Sequence, residues 1–379
     1  MKSGKYIYYK PLDIRREKSL INDFHYEGQK MQVFDIITFF NDEQIGGVEP
    51  LASEFTNSFI YPEIYAAQIE DALIAPRPVG LSRYWPMLFR HKGEYCYINN
   101  LLSNHAKSLL EDQGWLHEHD SGLFFKDSEP EITLSGTYIW FFIFGNFDHF
   151  MREVLPSLIL LKKSGLDLSK LKFLTSNAPN EVLELLSLFD IHESQLVQVT
   201  NKFVKIDKLI VPCFCTFGHI HTPTNMYIET SDFLRNKVIK KNNFKYKPPE
   251  KIFVSRRKAA QRKIANEAEI EKRFKKLGFA VIDPGELSKI EQIYFFSKAK
   301  IVVGAHGMGI TNFSFAERPD LLLEIMPTDW NRVSYFRTAQ LKGSAYGCYF
   351  IPPSQDGYQV DAKKIVKFYK NCRESLRMQ

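Results

Sequence analysis

Long apolar runs are absent from this sequence. The longest apolar-rich stretch, TYIWFFIFGNF at residues 137–147, is about half of the roughly 20 residues that a membrane-spanning helix needs. The N-terminal residues, MKSGKYIYYKPLDIRREKSL, contain neither an apolar core nor a small-residue cleavage site, so they do not resemble a secretory signal. We therefore expect a protein without a membrane span that works in the cytoplasm.

Cysteine is scarce. The five cysteines, Cys96, Cys213, Cys215, Cys348 and Cys372, are an odd number without the spacing of a disulfide framework, which favours reduced thiols. The segment CFCTFGHIH at residues 213–221 also holds two histidines, but its C-x-C spacing is not that of a common zinc site. No Asp-x-Asp triplet occurs, so the carboxylate pair that usually clamps a metal ion on a nucleotide sugar is missing. We expect neither disulfides nor a bound metal.

The composition is that of a globular protein, with 44% hydrophobic and 25% charged residues. A chain of 379 residues suggests two domains. The net charge of +6 is mild, but Lys and Arg crowd into residues 235–276. This crowding indicates either an anionic ligand or surface, or a solvated basic face. No recognition motif for nucleic acid accompanies it, so we expect no nucleic-acid partner.

The best candidate for a domain boundary is the basic stretch KKNNFKYKPPEK at residues 240–251, which contains Pro-Pro. After it, strand patterns at 251–255, 279–282, 300–303 and 321–325 alternate with helical patterns. Such alternation is typical of βαβ units that form a parallel sheet. We predict a Rossmann-like C-terminal domain at 241–379, with its last helix as a candidate to pack back on the N-terminal domain.

The first half is less regular. Residues 1–130 show only short strand candidates such as MQVFDII, whereas a helical pattern at 147–163 begins an alternation of strands and helices. We predict an N-terminal Rossmann-like domain at 1–240, irregular in its first part. The fold class expected is α/β, with two Rossmann-like domains facing across a cleft.

The stretch IVVGAHGMGITNFSFA, residues 301–316, places His306 in a glycine-rich loop between a buried strand and a helix. Ligands of parallel sheets bind at the carboxyl ends of the strands, where a helix N-terminus offers free N–H groups to an anion. The preceding strand is followed by SRRKAAQR, so Arg256, Arg257 and Arg262 reach the same sheet edge. Arginine suits fork-like phosphate recognition. We favour a phosphate site here over a purely structural turn.

A third motif, GNFDHFMREVLPSLILL, predicts a helix with Asn146 as N-cap and one apolar stripe. At 3.6 residues per turn, His149 and Glu153 lie roughly 140–180° from the stripe, so we expect both to face away from the core. The helix N-terminus favours neutral His149, and Glu153 favours its charged form. The pair is a candidate general base with its support, or else an ordinary surface pair.

Together these motifs resemble glycosyltransferase family 61, which includes bacterial capsule and exopolysaccharide transferases and eukaryotic xylosyl- and N-acetylglucosaminyltransferases. The similarity covers about residues 146–327, ending in LLLEIMP. It implies a GT-B fold whose C-terminal domain holds the donor, and an inverting transfer from a nucleotide sugar, with a UDP-sugar favoured. By this resemblance, Arg256 and Arg262 would hold the donor diphosphate, and His306 with the turn Gly307, Met308 and Gly309 would complete its pocket. Arg257, from the same basic motif, and Asn312, a neighbour of the turn, are further candidates for the donor site. Glu324 would accept from a ribose or sugar hydroxyl. Met308 stands where many relatives have alanine.

We therefore expect a metal-independent glycosyltransferase without a cofactor, acting in bacterial surface polysaccharide synthesis. Its acceptor would be a saccharide or lipid-linked saccharide, reached through peripheral contact with the inner membrane leaflet. His149 would remove the acceptor proton with support from Glu153, and Asp148 or Glu153 are alternative bases. Two other functions stay open: a GT-B-like nucleotide-sugar epimerase, and a non-catalytic carbohydrate-binding or assembly protein.

Overall fold

A computed structural model describes most of the chain beyond residue 130 and parts of the chain before it. The described residues are 5–9, 12–13, 31–33, 35–41, 55–60, 64–75, 89–91, 94–97, 108, 111–114, 116–119, 122–143, 146–175, 178–199, 202–213, 215–217, 222–330, 332–354 and 357–378. His219 and His221 of the CFCTFGHIH segment, and part of the strand candidate MQVFDII, lie outside these ranges.

The strands are β1 (Lys5–Tyr9), β2 (Leu12–Asp13), β3 (Met31–Val33), β4 (Thr38–Phe40), β5 (Ser58–Ile60), β6 (Ala66–Ile74), β7 (Phe89–His91), β8 (Glu94–Tyr97), β9 (Leu116–His119), β10 (Gly122–Asp127), β11 (Ile132–Trp140), β12 (Lys172–Thr175), β13 (Leu196–Gln198), β14 (Val204–Pro212), β15 (Thr216–Phe217), β16 (Thr222–Pro223), β17 (Lys251–Val254), β18 (Ala280–Ile282), β19 (Ile301–Ala305), β20 (Leu321–Pro327), β21 (Ala345–Ile351), β22 (Pro353–Ser354) and β23 (Gly357–Tyr358).

The α-helices are α1 (Phe147–His149), α2 (Pro156–Lys163), α3 (Asn180–Ser187), α4 (Asn225–Lys241), α5 (Glu267–Lys276), α6 (Lys289–Phe296), α7 (Ser334–Lys342) and α8 (Ala362–Arg377). A π-helix at Phe150–Val154 joins α1 to α2. Short 3₁₀ helices lie at Leu168–Lys170, Glu193–Gln195, Pro284–Glu286, Met308–Phe315 and Thr328–Trp330. Within the described ranges, no helix combines the length and apolarity needed to cross a membrane.

The chain divides into two compact units: residues 1–29 with 62–218, and residues 30–61 with 219–379. This division differs from the boundary predicted between residues 240 and 241. The helix α4 belongs to the second unit because its side chains bond there. The Ser231 hydroxyl donates to Ser314 Oγ at 3.0 Å, and Asp232 Oδ1 forms an ion pair with Lys342 Nζ at 3.2 Å.

The first unit contains a mixed sheet of eight strands, in the order β13-β12-β11-β14-β6-β7-β8-β2. The strands β11 to β14 are parallel, as the alternation in the sequence predicts. The strands β6, β7 and β8 extend the sheet with antiparallel pairing. Because two-sided burial excludes water from the parallel part, side chains such as Ile139 and Phe173 have no exposed surface.

The second unit contains a parallel sheet of six strands, in the order β18-β17-β19-β20-β21-β4. The predicted strands β17 to β20 are confirmed, and β17, β19 and β20 are mostly buried apolar runs of the kind expected in parallel sheets. The edge strand β4 comes from far earlier in the chain and pairs with β21. The helix α8 packs in this unit's own core through Ile365, Tyr369 and Cys372.

Residues 55–60 are fastened to the second unit by Arg337. Its guanidinium donates to the backbone oxygen and, at 3.2 Å, to the hydroxyl of Thr56, and it lies 4.9 Å from the centre of the Phe59 ring. Phe55 packs against Tyr346 and Phe350. Burial lowers the pKa of Arg337 to about 10. This early segment is therefore an integral part of the second unit.

Asn266 precedes α5 and links its start to a distant segment. Its side-chain amide bonds to the backbone of Val360, 2.6 Å to the oxygen and 3.1 Å from the nitrogen. It therefore joins two segments instead of capping the helix. A capping box does form at α6, between Ser288 and Glu291.

Candidate active site

The glycine-rich loop follows β19 at the carboxyl edge of the second unit's sheet. His306 N–H donates to the Ile325 oxygen at 2.9 Å, which aligns the loop beside β20. The segment Met308–Phe315 that follows is a 3₁₀ helix. A Cβ on Gly309 would lie 2.7 Å from Val254 Cγ1, so a residue without a side chain is needed for the loop to pack on β17.

Gly307 leaves open the space that the Arg256 guanidinium occupies. Its φ of +154° disfavours other residues, and a Cβ there would lie 1.6 Å from Arg256 Nη1. Arg256 Nη2 donates to the Gln261 oxygen at 3.1 Å. Burial lowers the pKa of Arg256, and the positive charge of Arg262 lowers it further. The Arg256 guanidinium therefore lies against the glycine-rich loop, as the sequence predicts.

Arg262 adds a second cation beside Arg256. Its φ of +52° is unusual for a residue with a side chain, and such backbone strain is often found at functional sites. Its guanidinium carbon lies 4.8 Å from the centre of the Trp330 ring, close enough for a cation–π contact. In the described part of the chain, Nε of Arg256 and Nε of Arg262 are buried without hydrogen-bond partners. Two such donors at one sheet edge favour an anionic ligand.

Arg257 behaves differently from its neighbours. Its Nε donates to Glu271 Oε1 at 3.1 Å, and 58% of its side chain is exposed. The structure therefore directs Arg257 to helix α5 rather than to the glycine loop. Because successive residues after a strand point in different directions, the sequence alone could not separate Arg256 from Arg257.

Two further predicted residues line the 3₁₀ helix. Met308 is exposed to 48%. Asn312 is buried, and its Nδ2 donates to Gln292 Oε1 at 3.0 Å and to the Gly309 oxygen at 3.1 Å. Asn312 therefore holds the loop from the protein side, whereas Met308 lies at its surface.

Glu324 is fully buried on β20, where both of its oxygens are engaged. Oε1 lies 2.5 Å from His306 Nδ1, and Oε2 accepts from the Tyr346 hydroxyl at 2.5 Å. Burial raises the pKa of Tyr346 well above its usual range, so this hydroxyl donates. Because Glu324 has no exposed surface and both of its oxygens already contact protein groups, it does not face a sugar or ribose hydroxyl, in contrast to the role that the family resemblance implies for it.

The Glu324 contact fixes the histidine ring. Because a carboxylate only accepts, Nδ1 of His306 carries the proton and Nε2 is the nitrogen left for a ligand. The Tyr335 ring packs edge-on against His306 at 5.2 Å, and its hydroxyl donates to the Gly307 oxygen at 2.8 Å. Sequence reasoning missed Tyr335 and Tyr346. Only the position of β21 next to β20 could have suggested the latter.

Glu267 is a buried carboxylate on helix α5 that holds the backbone of Arg256. Its Oε1 accepts from the backbone N–H of Arg256 at 2.8 Å, while Oε2 is buried without a hydrogen-bond partner among the described residues. Burial raises the pKa of Glu267 to about 7. The folded protein therefore binds this proton more tightly than the unfolded chain does.

The substitution Glu267→Gln is expected to flatten the dependence of stability on pH. Because the pKa of Glu267 is raised on folding, the wild type loses stability as pH rises from about 4.5 to 7. Between pH 5 and 8 we expect the wild type to lose about 1–3 kcal/mol more unfolding free energy than the variant. Urea unfolding at four pH values measures this. Glu269→Gln, on the exposed face of α5, is the control, and equal pH profiles for both variants would contradict the assignment.

The first unit presents the histidine helix. Asn146 Oδ1 accepts from the backbone N–H groups of Asp148 at 3.0 Å and His149 at 3.4 Å, so the predicted N-cap is confirmed. His149 Nδ1 lies 2.7 Å from Glu153 Oε1. The side chain of His149 is 21% exposed, whereas that of Glu153 is 3% exposed. The histidine therefore reaches the surface and the carboxylate lies beneath it.

The prediction that Glu153 faces away from the core is wrong. Residues 150–154 form a π-helix, in which Leu155 N–H donates to the Phe150 oxygen at 2.9 Å. This i→i+5 bond changes the angle between successive side chains, so the ordinary helical spacing no longer applies. Cys215 N–H also donates to the Glu153 backbone oxygen at 3.1 Å and brings a neighbouring segment against the helix.

Asp148 pairs with a different partner. Its Oδ1 accepts from Arg152 Nε at 2.8 Å, and the Arg152 side chain has no exposed surface. Asp148 therefore balances a buried guanidinium, a role that competes with proton removal. Of the candidate bases, His149 has the side chain with the greater exposure.

Two comparisons with known proteins identify similar chains. Residues 147–322 match the family model described as Glycosyltransferase 61. This segment contains the candidate site residues His149, Arg256, Arg257, Arg262 and His306. The xylan glycosyltransferase MUCI21 of Arabidopsis thaliana is 31% identical over 117 residues, which are 29% of this chain and 23% of that protein. The similarity thus spans about a quarter of that relative's length. Both findings support a glycosyltransferase.

Proposed function

We propose that the chain is an inverting glycosyltransferase that moves a sugar from a nucleoside-diphosphate donor, a UDP-sugar first, to a saccharide acceptor. The observation that carries the proposal is the pair Arg256 and Arg262, whose Nε donors are buried without hydrogen-bond partners among the described residues, with the Arg256 guanidinium placed against Gly307. A diphosphate suits such donors in charge and in geometry. The match of residues 147–322 to the Glycosyltransferase 61 model supports the same reaction.

On this proposal the second unit stabilises the leaving group. The diphosphate contacts Arg256 and Arg262, and Nε2 of His306 donates to a phosphate oxygen. Charge builds on the diphosphate as its bond to the anomeric carbon breaks, and fixed cations lower the energy of that state. This Nε2 donor belongs to the imidazolium form of His306, whose Nδ1–H is held by the buried Glu324 carboxylate. No bound metal ion is required in this scheme.

The first unit supplies the base. His149 takes the proton of the acceptor hydroxyl as that oxygen attacks the anomeric carbon from the face opposite the diphosphate. Glu153, bonded to Nδ1, leaves Nε2 to receive the proton and balances the imidazolium that forms. The scheme requires the GT-B arrangement of two domains that the family resemblance implies, and it inverts the configuration at carbon in one displacement.

The acceptor and the cellular role are proposed at a coarser level. The Arabidopsis relative is named for xylan, a polysaccharide. By analogy we propose a polysaccharide or lipid-linked saccharide acceptor. As the process we propose synthesis of a bacterial surface polysaccharide in the cytoplasm, in line with the bacterial members of the family that the sequence resembles. A screen of acceptors with a purified donor tests this choice separately from donor binding.

Nucleotide binding is the most direct test of the proposal. Arg262→Ala is expected to weaken binding of UDP about 10- to 100-fold, the value of one charge-assisted contact. Thermal shift measures the change, because a ligand of the native state raises apparent stability. Arg257→Ala is the matched control, since Arg257 pairs with Glu271 and should leave binding unchanged.

The alternatives give different results when the protein is incubated with nucleotide sugars and analysed for both conversion and thermal shift. An epimerase would convert a nucleotide sugar when no acceptor is present. A non-catalytic protein would show no thermal shift with any nucleoside diphosphate or nucleotide sugar. Equal losses in the Arg257 and Arg262 variants would place the diphosphate elsewhere.

A further inference from the structure

A cluster of aromatic and basic side chains lies at the end of helix α4, in the segment after it, and on helix α6. We call it the aromatic–lysine surface, and it comprises Ile239, Lys240, Phe244, Lys245, Tyr246, Lys247, Tyr294 and Phe295. Large hydrophobic side chains are rarely exposed in the described part of the chain, and Ile239 and Tyr246 are each exposed to 42%. These two residues lie within eight positions of sequence, and grouped exposed apolar side chains indicate a binding surface more strongly than scattered ones do.

The rings of this surface hold one another in place. Phe244 stacks on Tyr294 with centroids 3.7 Å apart, and Tyr246 stacks on Phe295 at 5.1 Å. The Tyr294 hydroxyl also donates to the Tyr246 backbone oxygen at 2.5 Å. Each ring therefore has one face covered by its stacked neighbour. A sugar ring or a nucleobase would need an open aromatic face.

The chain segment that carries Phe244 and Tyr246 has charge of one sign, whereas helix α6 contributes Glu291, whose negative charge adds to burial in raising the pKa of Tyr246. Five lysines lie between residues 237 and 247, whereas no Asp or Glu occurs from residue 233 to residue 249. Lys240, Lys245 and Lys247 are exposed. Basic side chains around exposed apolar ones match a membrane surface, where anionic headgroups lie above an apolar layer.

We infer that the aromatic–lysine surface docks the protein peripherally on membranes that contain anionic lipids. Each lysine near such a surface strengthens binding by about fivefold. Ile239 and Tyr246 enter the headgroup region, where aromatic side chains with a polar end are favoured. The sequence leads us to expect a peripheral membrane contact, and this inference names the residues that would make it. It does not depend on the proposed transfer reaction.

Vesicle co-sedimentation tests the inference. The full chain is expected to bind vesicles of equimolar phosphatidylglycerol and phosphatidylcholine, more weakly as salt is raised, and not to bind pure phosphatidylcholine. The variant K240E/K245E/K247E should bind roughly 100-fold more weakly, from three contributions of about fivefold each. The variant Ile239→Ser with Tyr246→Ser should lose binding while keeping its charge.

Helix α8 offers a matched control with the same change of charge. Its exposed Lys363, Lys367 and Lys370 lie on a helix whose apolar residues are buried in the core. K363E/K367E/K370E should therefore keep most of the vesicle binding. Circular dichroism and UDP thermal shift confirm that each variant is folded, and donor binding should be unchanged in all of them.

Three results would overturn the inference. One is an equal loss in the α8 variant, which would make binding a matter of net charge. A second is full binding by K240E/K245E/K247E. A third is tight binding of heparin that competes with vesicles and is unaffected by the serine variant, which would assign the surface to a soluble polyanion. A failure of glycosyl transfer with vesicle binding intact would leave the docking surface standing and remove only the proposed reaction.

Discussion

Replacing His149 with alanine is expected to lower turnover by roughly 10²- to 10⁴-fold, the usual contribution of a general base. Binding of UDP should stay close to that of the wild type, because the proposed diphosphate ligands all belong to the second unit. Glu153 would lose its imidazole partner but keep its buried position in the π-helix. Steady-state kinetics with a sugar nucleotide and acceptor, together with UDP thermal shift, separate the two effects.

His117 provides the control for His149. It is an exposed histidine of the first unit, on strand β9, so His117→Ala removes an imidazole far along the sequence from the helix. Its turnover should match that of the wild type. If His149→Ala also retains full turnover, the base is another group, and Glu153→Gln becomes the next variant to measure.

Replacing Gly307 with alanine is expected to weaken UDP binding about 100- to 1,000-fold, from the loss of charge-assisted contacts. The added Cβ would overlap Arg256 Nη1, which is the far end of a flexible side chain. The guanidinium therefore moves away while the sheet beneath it stays folded. Isothermal titration with UDP measures the loss, and thermal unfolding without ligand shows whether the fold is retained.

Gly343 is a matched control for the backbone effect. It also has a positive φ, +64°, but a Cβ there meets no atom within 4 Å. Gly343→Ala should therefore cost only about 1 kcal/mol of stability and leave UDP binding unchanged. If the two variants lose affinity equally, backbone strain rather than the position of Arg256 explains the effect.

Sequence patterns were sufficient for the parallel part of both sheets. Strands such as β17, β19 and β20 are continuous apolar runs between helical periods, and that pattern has one common structural solution. The carboxyl edge where Arg256 meets the glycine loop follows from the same parallel order. Local periodicity thus identified the elements and the edge on which the candidate site lies.

Side-chain direction could not be predicted in the same way. The π-helix changes the position of Glu153 through one altered backbone bond, which the apolar stripe of the sequence does not reveal. Arg256 and Arg257 are adjacent but serve a loop and a helix. The sequence predicts Glu324 correctly at the carboxyl edge of the sheet, yet its partner Tyr346 comes from the neighbouring strand β21. These outcomes depend on tertiary contacts, which single-sequence periodicity does not contain.

The edge strand β4 has a consequence for how the chain folds during synthesis. Asn41, which directly follows β4, bonds to the backbone of Phe350, 309 positions later in the chain. At about 5–20 residues per second, the ribosome would take roughly 15–60 s to make that partner. The first unit can complete its sheet within this interval, while β4 waits unpaired for β21. Formation of the six-stranded sheet is thus a late, long-range event, and contacts of this kind are typical of slow folding steps.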